Sequence, residues 1–430
     1  MKIKTDVVVV GSGAGGATVA KELSKKGRKV ILLERGMPPK DLGSIRDAVL
    51  SHYDKCALRT SKEGTIVYRT LMVGGTTVVS CGNGVRTLEK VFRDKGIDLS
   101  REFESAEKDL NVQKLSNKLI GSGSRLIMDS SNKLGYEMGP MPKFINPDKC
   151  TSCGVCVLGC KTGAKWSSLF FVAEARKHGT RLITGANVKS VAIHKKKAVG
   201  VVAETTDGRL KIFADTVVLA AGGISSPVIL QRSGIKNAGT HFFSDLFTVT
   251  YGIMKDENIN LWKEPSMACL STKFQQSDGF IMAPYIDVPL VARWVLSKRK
   301  QLKAFRYKDL LGIMVKIKDD ETGVVNSNET FSKKPTARDN DKLHKGATVS
   351  REILLKAGVR DGDIIFTGTR SAHPGGTAAI GRVVDNNLET EIKNLYVCDA
   401  SVLPESPGAP PIVTIVALAK RLAKSLEKTR

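Results

Sequence analysis

No stretch of the sequence approaches the roughly 20 consecutive apolar residues that cross a bilayer, so any membrane contact is expected to be peripheral. Met1-Lys2-Ile3-Lys4 leads straight into a strand, with no apolar signal core, cleavage site or twin arginine, and a cytoplasmic location is the expectation. The 40 glycines and 15 prolines follow no period, which excludes a repeat architecture and a low-complexity tail. Carboxylates are in short supply, and the formal net charge is +24. Such a field attracts an acidic redox protein, an anionic membrane face or nucleic acid. Lys195-Lys196-Lys197 and Lys298-Arg299-Lys300 are short and not interleaved with aromatics, so nucleic acid is not expected. A solvated lysine-rich surface accounts for the charge without any partner. At 430 residues, two intimately joined domains are expected rather than one.

What is present begins at the N-terminus. The apolar run Asp6 to Val10 reads as a strand, Gly11-Ser12-Gly13-Ala14-Gly15-Gly16 follows at once, and Ala17 to Lys25 reads as a helix. Gly11 permits the tight turn, Gly13 lets a pyrophosphate reach the backbone, and Gly16 lets the helix pack closely. A second strand, Lys29 to Leu33, ends in Glu34, where a carboxylate can bind both ribose hydroxyls of an adenosine. Strand, spacing, helix and acid together point to an adenosine dinucleotide, without distinguishing FAD from NAD.

The C-terminal sequence makes that distinction by resemblance. His373-Pro374-Gly375-Gly376-Thr377, then Asn394 to Pro404, then Pro411 to Ala419 resemble the flavin-binding end of the glucose-methanol-choline (GMC) oxidoreductases. Gly74-Gly75-Thr76-Thr77, Asn83-Gly84-Val85-Arg86 and Ala221-Gly222-Gly223-Ile224-Ser225-Ser226-Pro227 resemble the same family, in the same order. The resemblance implies an α/β fold: an FAD-binding Rossmann-like domain with a smaller α+β substrate domain. It implies FAD contacts from Gly11, Gly13, Ala14, Gly15, Gly16, Glu34 and Arg35, and from Gly75, Thr76, Asn83, Gly84 and Val85. Val188, Ala221, Asp399, Ala400, Pro411 and Thr414 complete that set. Asp399 ends an expected strand, where it could meet ribityl hydroxyls or a phosphate-bound water. Pro411 stands at the start of an expected helix through Arg421, a position proline favours. Some relatives attach flavin through a histidine just after the Gly-Gly-Thr-Thr turn; Val78 and Val79 stand there, so FAD is expected to be non-covalent.

Of only six histidines, His373 alone is framed by the glycine-rich turn that the family places before its last helix. It is the candidate base that takes a substrate hydroxyl proton while hydride leaves carbon for flavin N5; the plain reading is a histidine satisfied in the core. The family usually adds an asparagine or histidine at the position of Pro410, which has no side-chain donor or acceptor. Either Glu405, Ser406 or Asn83 substitutes, or the reaction is one on C=C or C–C bonds that needs a single proton donor.

Cys150, Cys153, Cys156 and Cys160 have the C-x2-C-x2-C-x3-C spacing of a ferredoxin-type 4Fe-4S ligand run, with Lys161 in place of the usual proline. A 3Fe-4S or degraded site and structural zinc are the alternatives. The placement resembles iron-sulfur sugar and sugar-acid dehydrogenases of the same family. That implies an iron-sulfur loop insertion, a sugar, polyol or other alcohol as small-molecule substrate, and an acidic one-electron carrier or partner subunit as the outlet. An electron-transfer subunit without its own small substrate is the reading from another class. Cys56, Cys81, Cys269 and Cys398 read as small buried apolar residues.

The expected organisation is a discontinuous FAD domain from 1–100, 165–240 and 375–430, a cluster segment at 140–165 and a substrate domain at 241–374. A helix is expected at Ser167 to His178. Strands at Arg181 to Ile193, Ala198 to Thr205 and Leu210 to Phe213 are expected to form a meander. The apolar stretch Phe280 to Leu296 fits the core or a membrane surface, core being preferred.

Overall fold

The computed structural model describes residues 2–54, 60–254, 259, 261–288 and 309–427. Strand β1 (Lys2–Val10) is wholly buried from Val7 to Val10, as a parallel strand covered on both faces must be. The chain turns at Gly11, φ 100°, into helix α1 (Ala14–Lys25), so Gly15 and Gly16 fall inside the helix. They do so because α1 lies against backbone: a Cβ at Gly15 would sit 1.8 Å from the Cys398 carbonyl oxygen, and one at Gly16 1.9 Å from that of Gly11. Strand β2 (Val30–Leu33) then pairs parallel to β1, with Val7 opposite Val30.

On the other side of β1 runs β3 (Gly208–Leu219), parallel to it from Lys211 to Leu219. This strand serves two arrangements. Its first residues pair antiparallel with Lys197–Thr205, which pairs with Asn187–His194; its last three pair parallel with Leu395–Val397. The stretch expected as one strand from Arg181 to Ile193 is divided. Arg181–Ile183 joins the parallel sheet beside β2, Gly185 turns at φ 66°, and Ala186 N–H donates to the Glu34 carbonyl before the meander begins. The expected helix is Ser168–Lys177, with Ser167 as its N-cap residue.

A second sheet of eight strands is built around the antiparallel pair β4 (Leu246–Ile253) and β5 (Leu310–Ile317). It takes in Ile66–Val67 and Met138–Pro140 from far earlier in the chain. Phe280–Pro284 pairs with β5 and is fully buried, which agrees with the core reading; residues 289–296 of that apolar stretch and the run at 298–300 lie outside the described residues. The helix Ala337–Lys356 packs on β5 so closely that a Cβ at Gly346 would lie 2.2 Å from Val315 Cγ1. Val315 therefore faces the helix, and by the two-residue alternation of a strand Met314 and Lys316 face the opposite side. Helix α2 (Ile412–Glu427), which runs past the expected Arg421, returns to the first domain and packs on α1. Two separate cores result, one under each sheet.

Candidate active site

A cavity of about 340 Å³ is lined at once by the Gly11–Gly15 turn, by Glu34 and by His373. Residues 373 and 11, distant in sequence, thus share one site. Gly11, Gly13, Ala14, Gly15, Glu34, Arg35, Gly75, Thr76, Asn83, Val188, Ala221, Asp399, Ala400 and Pro411 all line it. Gly16, Gly84, Val85 and Thr414 are not in its wall. Gly16 packs α1 onto the turn, and Gly84 and Val85 line a separate cavity of about 290 Å³. Thr414 is bound to Thr87, accepting from its N–H and donating to its carbonyl, which ties α2 to residues beyond the cavity.

The nucleotide end is organised by Glu34. Its Oε2 accepts from Ser12 N at 3.0 Å and Ser12 Oγ at 2.7 Å, and its Oε1 from Gly36 N at 2.9 Å. Burial raises its pKa, against the lowering effect of these donors. Ser12 Oγ also accepts from Gly74 N at 2.9 Å, which holds the Gly74-Gly75 turn against the first one. Asp399 is held in place from the protein side: its Oδ2 accepts from Gly222 N and Ser226 Oγ, its Oδ1 from Ser401 N. Its carboxylate sits in the wall and fixes the start of the helix Gly222–Arg232.

These residues fit an extended dinucleotide such as FAD. Helix α1 has no side-chain cap and no acid in its first turn, and open space lies where Gly13 would carry a Cβ, so its N–H groups are free for a diphosphate. Helix α2 also carries no acid in its first turn and enters the cavity at Pro411 and Ile412. Thr70 Oγ1, buried in the same wall, has no hydrogen-bond partner among the described residues.

At the other end, His373 Nδ1 lies 2.7 Å from Asp245 Oδ2. Asp245 is fully buried, and its Oδ1 accepts from Ser406 Oγ at 2.8 Å and Gly408 N at 3.1 Å. A carboxylate at Nδ1 favours the tautomer with the proton there, leaving Nε2 as acceptor. Burial, aided by the nearby Lys316 ammonium, lowers the His373 pKa below the ordinary histidine value, and Asp245 opposes this only in part. The imidazole is therefore neutral at physiological pH, the state a base requires. Behind it, Ser406 Oγ is also 2.8 Å from Asp319 Oδ1, whose other oxygen meets Lys333 Nζ at 2.7 Å with neither side chain exposed.

Pro410 lines the cavity and offers no polar side chain. Glu405 pairs with Lys318 and Ser406 lies behind Asp245, so neither reaches the cavity; Asn83 does, but its Oδ1 accepts from Lys143 at 2.6 Å. Phe247, Met267, Tyr285, Met314 and Lys316 also line the cavity. Asp245 and Lys316 were invisible as site residues in the sequence, since each lies in the middle third, where no motif marks it.

Comparison with known proteins identifies the family. Models of the GMC oxidoreductase family match residues 5–248 and 318–419. The chain belongs to that family. It is a flavin oxidoreductase, and FAD, when bound, accepts a hydride. An uncharacterized protein of Methanocaldococcus jannaschii is 32% identical to this GMC oxidoreductase over 98% of this chain and 99% of its own. A long-chain-alcohol oxidase of Arabidopsis thaliana is 25% identical over 99% of this chain and 69% of its own. Among solved structures, pyridoxine 4-oxidase from "Mesorbium loti" superposes with a TM-score of 0.75 at 16% identity, covering 98% of this chain and 99% of that one, a likeness of fold.

The iron-sulfur branch of the family finds no such support. Among the described residues no three His, Cys, Asp or Glu side chains are gathered as a metal site. The four thiols at 150–160 lie within electrostatic reach of one another, but Cys153 is exposed, and Cys160 Sγ has Thr162 Oγ1 and Lys165 N as neighbours at 3.5 Å. Ser152, Gly154 and Gly159 at positive φ turn the loop between them. The described residues thus give the expected 4Fe-4S ligand set no support. Cys269 and Cys398 are buried, as expected, whereas Cys81 lines the cavity; Cys56 lies outside the described residues.

Proposed function

We propose that this GMC oxidoreductase oxidises the CH–OH group of an alcohol with a largely apolar body. The observation that carries the reading is His373: a neutral imidazole, held through Nδ1 by Asp245, in the wall of the cavity that the nucleotide turn also lines. Nε2 accepts the hydroxyl proton as the carbon gives up hydride, and Asp245 stabilises the imidazolium that forms. Phe247, Met267, Tyr285 and Met314 in the wall of the same cavity favour an apolar substituent over a sugar ring, which would leave hydroxyls without partners. The similarity to a long-chain-alcohol oxidase supports the same choice.

The reading is tested by mixing the oxidised holoenzyme anaerobically with primary alcohols of increasing chain length and with sugars and polyols, and following loss of the flavin's visible absorption. Alcohols of intermediate or long chain should bleach it. Bleaching by sugars alone would reverse the substrate class, and bleaching by none would end the reading.

The cysteine spacing supports a 4Fe-4S centre, with an acidic one-electron carrier as the outlet that the net charge would attract. Among the described residues, the four thiols are not gathered as a metal site. Iron and sulfide analysis of anaerobically purified protein, with EPR, decides the matter; stoichiometric zinc or no metal would discard the cluster.

A further inference from the structure

Five lysines are buried among the described residues: Lys21, Lys143, Lys165, Lys316 and Lys333. A desolvated ammonium needs its three N–H donors met by oxygen. Four of the five meet most of that need, each with at least two oxygen partners at 3.1 Å or less. Lys21 reaches Asp109 and Glu22; Lys143 reaches Cys81 O, Asn83 Oδ1 and Ser266 O. Lys165 reaches Val78 O and Ser80 O, and Lys333 reaches Asp319 and Asp320 O.

Lys316 is the exception. Although only 2% exposed, its Nζ has among the described residues a single hydrogen bond, to Asp245 O at a long 3.5 Å, and otherwise lies 4.8 Å from the centre of the Phe247 ring. It stands on the face of β5 that looks away from the helix Ala337–Lys356, and it lines the cavity with His373. Other cations in the wall are matched by carboxylates: Arg35 pairs with Glu329 and Arg69 with Asp54. The fold thus spends the cost of burying an ammonium here and leaves its donors available at the one place where a proton is to be removed.

We propose that Lys316 is a second catalytic group, whose ammonium donates a hydrogen bond to the substrate oxygen and stabilises the negative charge that develops there. This deepens the alcohol-oxidising reading and rests on it. The hydroxyl proton passes to His373 Nε2, the C–H electron pair leaves with its hydrogen as hydride to FAD, and the C–O bond becomes a carbonyl. Lys316 keeps its protons throughout. A cation fixed in advance at that oxygen supplies what Pro410 cannot, and it does so on a rigid strand in an apolar wall, where charge stabilisation is strongest. It also contributes to keeping His373 neutral, since a proton on His373 would face a like charge.

The test uses the holoenzyme with Lys316→Met, which nearly conserves volume and removes an underpaired charge, so folding and FAD content should be retained. With an alcohol that reduces the wild type, the limiting rate of anaerobic flavin reduction should fall about 100-fold or more, the substrate dissociation constant should change by less than about fivefold, and Lys316→Arg should recover part of the rate. Independently of turnover, acetate should bind the oxidised wild type, read as a shift of its visible flavin band, and bind the Met variant at least about tenfold more weakly. Wild-type reduction rates in the Met variant would overturn the proposal, as would unchanged acetate binding. Should no alcohol reduce the wild type, the alcohol reading itself falls, and the acetate comparison alone decides whether Lys316 presents its charge to a ligand. If the Met variant fails to retain FAD, Lys316→Gln carries the same comparisons.

Discussion

His373 and Asp245 form a unit whose parts have separable effects. Replacing His373 with Asn removes the acceptor of the hydroxyl proton, and the limiting rate of flavin reduction should drop on the order of 10²–10⁴-fold with FAD still bound. A loss of less than about tenfold would show that the base lies elsewhere. Because burial lowers the imidazole pKa, kcat/KM should stay level as pH falls to below about 6.5, the free-histidine value, and decline only as the lowered pKa is crossed. The groups facing this imidazole are Asp245, which raises its pKa, and Lys316, which lowers it, with Asp319 behind Asp245. Asp245→Asn removes the carboxylate that favours the protonated form, so the acid limb of the pH profile should move further down while the rate falls at least about tenfold from lost orientation. A limb that moves up instead would contradict this electrostatic picture. The histidine was legible in the sequence because a glycine-rich turn frames it. Asp245 was not, because only the fold brings position 245 to position 373.

The elements differ in how they were specified. The unit β1–α1–β2 could be read directly, since a buried valine run, three spaced glycines and a terminal acid each leave a local mark. The second sheet could not: Ile66–Val67 and Met138–Pro140 are two or three residues long, and only pairing with distant strands makes them strands at all. The division at Gly185 leaves no local mark for a related reason. Its neighbours alternate like one strand, and the break is imposed by Glu34, whose N–H and carbonyl bond the residues on either side of it. These distinctions predict unequal responses to substitution. Gly15→Ala places a methyl against the Cys398 carbonyl, which is backbone and cannot yield cheaply, so α1 must shift; about 1–3 kcal/mol of stability and much of the FAD content should be lost. Thr336→Ala removes the capping box of the helix Ala337–Lys356 and should cost about 1 kcal/mol in denaturant unfolding with FAD content unchanged. Equal effects on FAD from the two variants would mean that α1 holds no privileged place at the nucleotide.

At the scale of the molecule, the cavity draws its wall from both cores: Val10, Leu33 and Ile415 belong to the first, Met267, Tyr285 and Met314 to the second. A ligand seated there binds only when both sheets are formed, so it should couple their unfolding. Stripping FAD should lower Tm and broaden or split the transition, and adding it back should restore a single one, since ligand at about 100 times its Kd contributes about 2.7 kcal/mol to the native state. The same experiment reads the mode of attachment. Val78 and Val79, which follow the Gly74–Thr77 turn, have hydrocarbon side chains with no atom able to bond a flavin carbon, and Val79 stands in the cavity wall. Acid precipitation should therefore leave all the yellow colour in the supernatant. Flavin retained on the precipitated chain would require another side chain of the wall to have formed the bond, with Cys81, Tyr53, Tyr68 and His373 the ones to examine by peptide mapping. A Tm unmoved by FAD would show that the two cores unfold independently of what lies between them.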